Sequence, residues 1–83
     1  MGVGLHFYDV SGKEVDYAHF TYSTFGDSFL EPFFPEKVEE YIKNQYCLWL
    51  YGEDACFLYK LCKLRRNVLG ETELSEIDRV EII

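Results

Sequence analysis

Hydrophobic and polar positions alternate most regularly over residues 3–22, VGLHFYDVSGKEVDYAHFTY, where two runs rich in Val, Phe and Tyr flank Asp9-Val10-Ser11-Gly12-Lys13. Period-two alternation puts successive side chains on opposite faces of a strand, and a left-handed glycine suits a three-residue hairpin loop with a bulge. The pattern predicts a β-hairpin with Gly12 in that position. With Asp9 and Lys13 flanking the loop, Phe7 is expected opposite Val15 and Leu5 opposite Tyr17 on the core side. His6 then falls opposite Asp16, and Tyr8 opposite Glu14, on the other side.

The period changes from two to that of a helix at Pro35. Val38, Tyr41, Ile42 and Gln45 fall at helical spacing, Pro35 suits a first helical position, and Glu36, Glu39 and Glu40 lie near the positive end of the helix dipole with Lys43 near the other. A helix over about 35–45 follows, with Phe33 expected to staple against Val38. Residues 23–34, STFGDSFLEPFF, read as a connection with one short turn, since Ser28-Phe29-Leu30-Glu31 fits a capping box and Pro32 ends what it starts. Its phenylalanines are expected to dock on the core.

The densest apolar stretch, YCLWLYGEDACFLYKLCKL at 46–64, admits two readings. Glu53-Asp54 before the apolar run and Lys60, Lys63, Arg65 and Arg66 after it give the charge order of a helix over 53–66. Cys, Trp, Tyr and Phe favour strands, however, and Gly52-Glu53-Asp54 makes a plausible turn, so the favoured reading is a hairpin with strands at about 46–51 and 55–64. After a turn near Asn67 to Gly70, Val80-Glu81-Ile82 alternates as a final strand. The expected fold is therefore α+β, one domain over 1–83: an N-terminal hairpin, one central helix, a second hairpin and a short C-terminal strand in an antiparallel sheet, with the second helix as the alternative.

Composition supports a folded chain without staples. Apolar residues make up 48% and aromatics 18% of 83 residues, and large aromatic side chains let a short chain assemble a core despite a net charge of −7. No basic segment precedes an apolar one at the N-terminus; His6 stands where a myristoylation signal at Gly2 would need Ser or Thr, and RVEII is no prenylation box. The apolar run around Trp49 breaks at Gly52-Glu53-Asp54, short of the ~20 residues of a membrane span. A cytoplasmic protein with no membrane contact is expected.

Candidate chemistry is sparse. Cys47, Cys56 and Cys62 form no CxxC or CxxH pair, and in the hairpin reading Cys47 and Cys56 face opposite sides while Cys62 lies ~20 Å along the strand from Cys56. In a helix Cys56 and Cys62 would sit about 120° apart. The cysteines read as reduced packing residues, with no metal, cofactor or disulfide expected. His6 opposite Asp16 would be an acid–base dyad or a surface ion pair, and no nucleophile is placed beside it. No phosphate-binding, zinc-hydrolase or nucleophile-elbow motif is present, so catalysis is not expected.

Charge carries the remaining functional content. Residues 1–59 hold ten acids and three lysines, the strip KLCKLRR at 60–66 holds four bases and no acid, and residues 67–83 hold five acids and one arginine. An acidic surface repels nucleic acid and lipid headgroups, so neither is an expected partner. Two surfaces are candidates for binding another protein: carboxylates at Glu36, Glu39, Glu40, Glu53 and Asp54, suited to a basic partner, and the bases Lys60, Lys63, Arg65 and Arg66. In size, charge and aromatic richness, with no motif behind the likeness, the chain is similar to the compact acidic proteins with which phages and mobile elements block nucleic-acid-handling enzymes, including anti-CRISPR proteins and DNA mimics. That resemblance implies an inhibitor in the host cytoplasm that acts by binding. Phosphate mimics are generally more acidic, which points to a mixed apolar and acidic interface. The other readings are an oligomerising accessory subunit, such as a homodimer, and a minor enzyme using His6 and Asp16.

Overall fold

Asp9 organises the first hairpin. In the computed structural model of the protein, which describes residues 2–83, its carboxylate accepts from the backbone N–H of Ser11 (2.9 Å) and Lys13 (3.0 Å) and from the Ser11 hydroxyl (2.6 Å). Gly12, at φ +87°, takes the left-handed position that its loop requires. Strands β1 (Gly2–Tyr8) and β2 (Glu14–Thr21) follow as expected, but their register does not. Tyr8 pairs with Glu14, and the next pair is Phe7 with Asp16, so Val15 is an extra residue on β2. A bulge of this kind shifts every later side chain to the opposite face. Ala18 and Phe20 therefore join Val3, Leu5 and Phe7 in the core, Asp16 turns inward, and Tyr17 and His19 turn out.

The inward turn of Asp16 is compensated by donors from three parts of the chain. The Tyr59 hydroxyl donates to its carboxylate at 2.6 Å, the N–H groups of Leu69 and Gly70 donate at 3.2 Å, and the Tyr17 N–H donates at 2.8 Å. Among the described residues it is the one buried charged side chain. Burial alone would raise the carboxyl, but these four hydrogen bonds outweigh it and hold Asp16 below the usual aspartate range. The Tyr59 hydroxyl is pushed the other way, up to about 12, by burial and by its bond to this carboxylate.

Residues 22–33, expected to be a connection, are helical. Thr21 caps the start, its hydroxyl accepting from the Thr24 N–H at 3.2 Å, and α1 (Tyr22–Phe25) runs through a wider π-helical turn, Gly26–Leu30, into α2 (Glu31–Phe33). Ser28 therefore starts no helix, and Pro32 sits in the first turn of α2, where a missing N–H costs little. Phe25, Phe29, Leu30 and Phe34 dock on the core as the composition suggested. Phe33 instead stays half exposed against Phe57, so the staple to Val38 is not its role. The predicted central helix begins as a single 3₁₀ turn, Pro35–Lys37, continues as α3 (Val38–Lys43), and buries Tyr41 alone. Gln45 and Tyr46 adopt positive φ (59° and 66°), which ends the helix and turns the chain into β3 (Leu48–Tyr51).

The favoured second hairpin is not formed; its alternative is. Gly52, at φ +56°, joins β3 directly to α4 (Gly52–Leu64), whose buried residues Ala55, Leu58, Tyr59 and Cys62 recur at helical spacing. Strand propensity at Cys, Phe and Tyr is a weak preference that burial of one helical stripe overrides. A 3₁₀ turn at Leu74–Glu76 leads into β4 (Arg79–Ile82), and β4 pairs with both β1 and β3. The antiparallel sheet thus has the order β2-β1-β4-β3, and the short terminal strand lies inside it. The α+β architecture stands: the strand expected at 46–51 forms as β3, and α4 takes the place of the one expected at 55–64. No helix is long and apolar enough, among the described residues, to cross a membrane.

Asp16→Asn keeps the side-chain shape but turns an amide N–H toward donors, and is expected to cost about 2–4 kcal/mol in urea unfolding. The depressed carboxyl contributes fully above about pH 4 and loses its contribution as pH falls through its lower folded-state value. The stability gap between the native chain and Asp16→Asn should therefore close below pH 4; a gap unchanged between pH 6 and pH 3 would contradict the ionised role of Asp16.

Candidate functional site

Helices cover one face of the sheet, and the opposite face carries the largest organised set of exposed aromatic groups. Because β1 and β2 alternate and the bulge sends Tyr17 outward, the pairing sets side chains in rows across four strands. One row runs Glu14, Tyr8, Arg79, Tyr51; the next runs Tyr17, His6, Glu81, Trp49. Tyr8 stacks on Trp49 at 5.9 Å between ring centroids, Trp49 on Tyr51 at 6.2 Å, and His6 lies 4.7 Å from Tyr17. Tyr17, Trp49 and Tyr51 remain 43%, 40% and 62% exposed. Gly4 makes this layer flat, since a Cβ there would lie 3.0 Å from the Tyr17 ring.

Polar groups on this face are already paired among themselves. The Tyr8 hydroxyl donates to Glu81 at 3.3 Å, and burial, reinforced by the Glu81 and Glu14 carboxylates, raises it from its ordinary value. Arg79 reaches the Asp78 carboxylate at 2.8 Å through Nη2 and 2.9 Å through Nε. His6 Nδ1 lies 3.2 Å from Glu14, not beside Asp16, which the bulge has carried to the other face. The expected His6–Asp16 pair therefore does not exist, and the two residues share no site.

Beside this face, β3 forms one wall of a cleft of about 440 Å³. Leu48 lies at its base with Cys47, Trp49 and Tyr51, and Lys37, Glu40 and Asn44 line the α3 side. The volume falls within the range of ligand pockets, roughly 300–1,000 Å³. A second hollow, between α1 and α3, measures about 160 Å³ and is lined by rings including Tyr22, Tyr41 and Tyr46. The Tyr41 hydroxyl has no hydrogen-bond partner among the described residues, and burial pushes it up to about 12.

The predicted binding residues divide. Glu36, Glu39 and Glu40 are exposed along the 3₁₀ turn and α3, and Lys37 pairs loosely with Glu40 at 3.9 Å. Glu53 and Asp54 are exposed in the first turn of α4, immediately beyond Tyr51. In the basic strip, Lys63 sits half-buried over the Tyr59 ring at 5.6 Å, Arg65 lies over the Phe29 ring at 5.0 Å while remaining exposed, and Lys60 and Arg66 are exposed. The aromatic layer was missed because the expected register placed Tyr17 in the core. A signal for it existed in the alternation of Trp49 and Tyr51 with Leu48 and Leu50.

Cys56 donates its thiol to the carbonyls of Leu74 (3.3 Å) and Ile77 (3.2 Å), and Cys62 is fully buried, its thiol pushed up to about 12 by burial. The three cysteines are free, and no group of three or more His, Cys, Asp or Glu side chains converges as a metal site among the described residues. Cys62→Ala removes one methyl-sized atom from the core and should cost about 1–2 kcal/mol. In the native chain a thiol reagent should modify Cys47 and Cys56 without denaturant and reach Cys62 only on unfolding; equal labelling of all three would contradict this packing. No family model matches the chain, and neither a curated protein nor a solved structure matches it.

Proposed function

We propose that this protein is a small acidic binding module that acts by docking on another protein, and that its target is a nucleic-acid-handling enzyme with a basic surface, which it inhibits. The observation that carries the reading is the uncovered sheet face, where Tyr8, Tyr17, Trp49 and Tyr51 are held in register on hydrogen-bonded strands. Leaving such area in water forgoes burial that a short chain needs, and a rigid aromatic cluster is what interface hot spots are built from. Glu14 and Glu81 stand in its rows, Asp78 is held by Arg79 at the end of β4, Glu40 lines the neighbouring cleft, Glu53 and Asp54 follow Tyr51 in the first turn of α4, and the chain carries a net charge of −7. An apolar centre inside an acidic rim suits a partner with apolar contacts set among lysines and arginines.

The reading is tested by titrating the protein against a panel of basic nucleases, RNA-guided nucleases and polymerases under conditions of single turnover. Inhibition of at least one is expected, weakening as salt rises. Tyr51→Ala and Trp49→Ala, both at exposed side chains, should each weaken it by about tenfold or more. Joint reversal of Glu36, Glu39 and Glu40 to Lys should weaken it further and flatten its salt dependence. If no enzyme in the panel is inhibited and the protein forms a concentration-dependent dimer, the accessory-subunit reading replaces this one.

A further inference from the structure

We infer that the open edge of β3 accepts an extended segment of the partner as a fifth strand, in the cleft beside α3, with basic side chains turned inward and apolar ones outward. This rests on the reading of the chain as a binding module and names how the partner is held. Gly52 donates to the Asp78 carbonyl at 2.9 Å, which fixes the ladder between β3 and β4. By the alternation of an antiparallel pair, Leu48 and Leu50 turn their N–H and C=O groups to β4, and Trp49 and Tyr51 turn theirs away from it; the Tyr51 carbonyl, at the N-cap of α4, takes the first bond of that helix, which leaves the Trp49 N–H and C=O and the Tyr51 N–H at the open edge. Three backbone groups in a row, at the mouth of a cleft, are the template that strand addition uses.

The other edge is already obstructed. Along β2 the Tyr17 N–H is taken by the Asp16 carboxylate at 2.8 Å, and the Val15 carbonyl accepts from the Thr72 hydroxyl at 3.4 Å. The bulge at Val15 also twists that edge, a device that discourages pairing. Nothing comparable lies against the Trp49 N–H and C=O or the Tyr51 N–H among the described residues.

The cleft also selects its occupant. A strand added to β3 alternates its side chains between the two faces of the sheet. Residues facing outward would lie against Trp49 and Tyr51, and residues facing inward would meet Leu48 and the α3 wall. That wall presents Glu40, and Glu53 and Asp54 follow directly after Tyr51, against one base, Lys37. A lysine or arginine at alternate positions complements these carboxylates. A second copy of this chain, paired edge to edge, would bring two such acidic sets together.

The test uses the intact protein and an acetylated, amidated octapeptide of alternating lysine and valine. Amide exchange is followed by NMR, with two further peptides N-methylated at one or the other alternate set. The expected result is that the Trp49 and Tyr51 amides slow by about tenfold or more at saturating peptide. One methylated set should abolish the effect and the other leave it, because only one set turns its N–H groups to β3. Glu40→Lys, at an exposed position, should weaken binding several-fold while the fold is unchanged. Absence of saturable protection at about 1 mM peptide, protection at His19 and Thr21 instead, or equal tolerance of both methylated sets would overturn the proposal. So would protection of Trp49 and Tyr51 that appears with protein concentration alone, which would make the occupant a second copy. Enzyme inhibition that persists when the peptide fails would sink strand addition only; peptide binding without inhibition of any enzyme would sink the target class only.

Discussion

The fold turns on one carboxylate placed where a strand pattern would not put it. A single extra residue, Val15, rotates Asp16 into the core, and a buried charge is tolerated only if its oxygens are fully supplied with donors. Those donors come from the middle of α4 through Tyr59 and from the loop after it through Leu69 and Gly70. One side chain therefore ties the N-terminal hairpin to the second half of the chain. The same contact holds Leu69 and Gly70 beside β2, where the Thr72 hydroxyl reaches the Val15 carbonyl.

The same bulge shapes the surface. With Asp16 turned in, Tyr17 and His19 turn out, and glycines diagonal to them on β1, Gly4 beside the Tyr17 ring and Gly2 beside the His19 ring, let the rings lie close to the sheet. The resulting aromatic layer and the core on the other side are two consequences of one register. A sheet covered on one face only is a common antiparallel arrangement, usually with a polar outer face. Here the outer face is aromatic, and its polar groups hydrogen-bond to one another, Tyr8 to Glu81 and His6 to Glu14.

Much of the fold was legible because it rests on local chemistry. The loop from Asp9 to Lys13 could be placed, since few residues besides glycine accept its left-handed position, and three of the four phenylalanines of 23–34, all but Phe33, could be assigned to the core by hydrophobicity alone. The stretch 52–64 was harder. Its residue types favour strands and its apolar spacing favours a helix, and the deciding term, burial of Ala55, Leu58, Tyr59 and Cys62 against the sheet, exists only once the sheet does. Of the candidate site, the exposed acids Glu36, Glu39, Glu40, Glu53 and Asp54 were visible as charges, whereas the aromatic layer required a register that no local pattern specifies. Within the basic strip, Lys63 lies over Tyr59, one turn earlier in α4, and Arg65 over Phe29; only the second of these contacts needed the tertiary fold.

By itself, then, the sequence determined the α+β class, the first hairpin and its turn, the final strand and the acidic surface, because each follows from propensity, turn stereochemistry or charge within a few neighbouring residues. The tertiary structure alone decided that Asp16 lies inside and Tyr17 outside, that β4 enters the sheet between β1 and β3, and that β3 keeps a free edge beside α3. Those outcomes depend on contacts between residues far apart in the chain, such as Asp16 with Tyr59 and Gly70 and Leu48 with Ile82. A bulge is favoured or rejected by what its displaced side chain meets, and what Asp16 meets is brought to it by the rest of the fold.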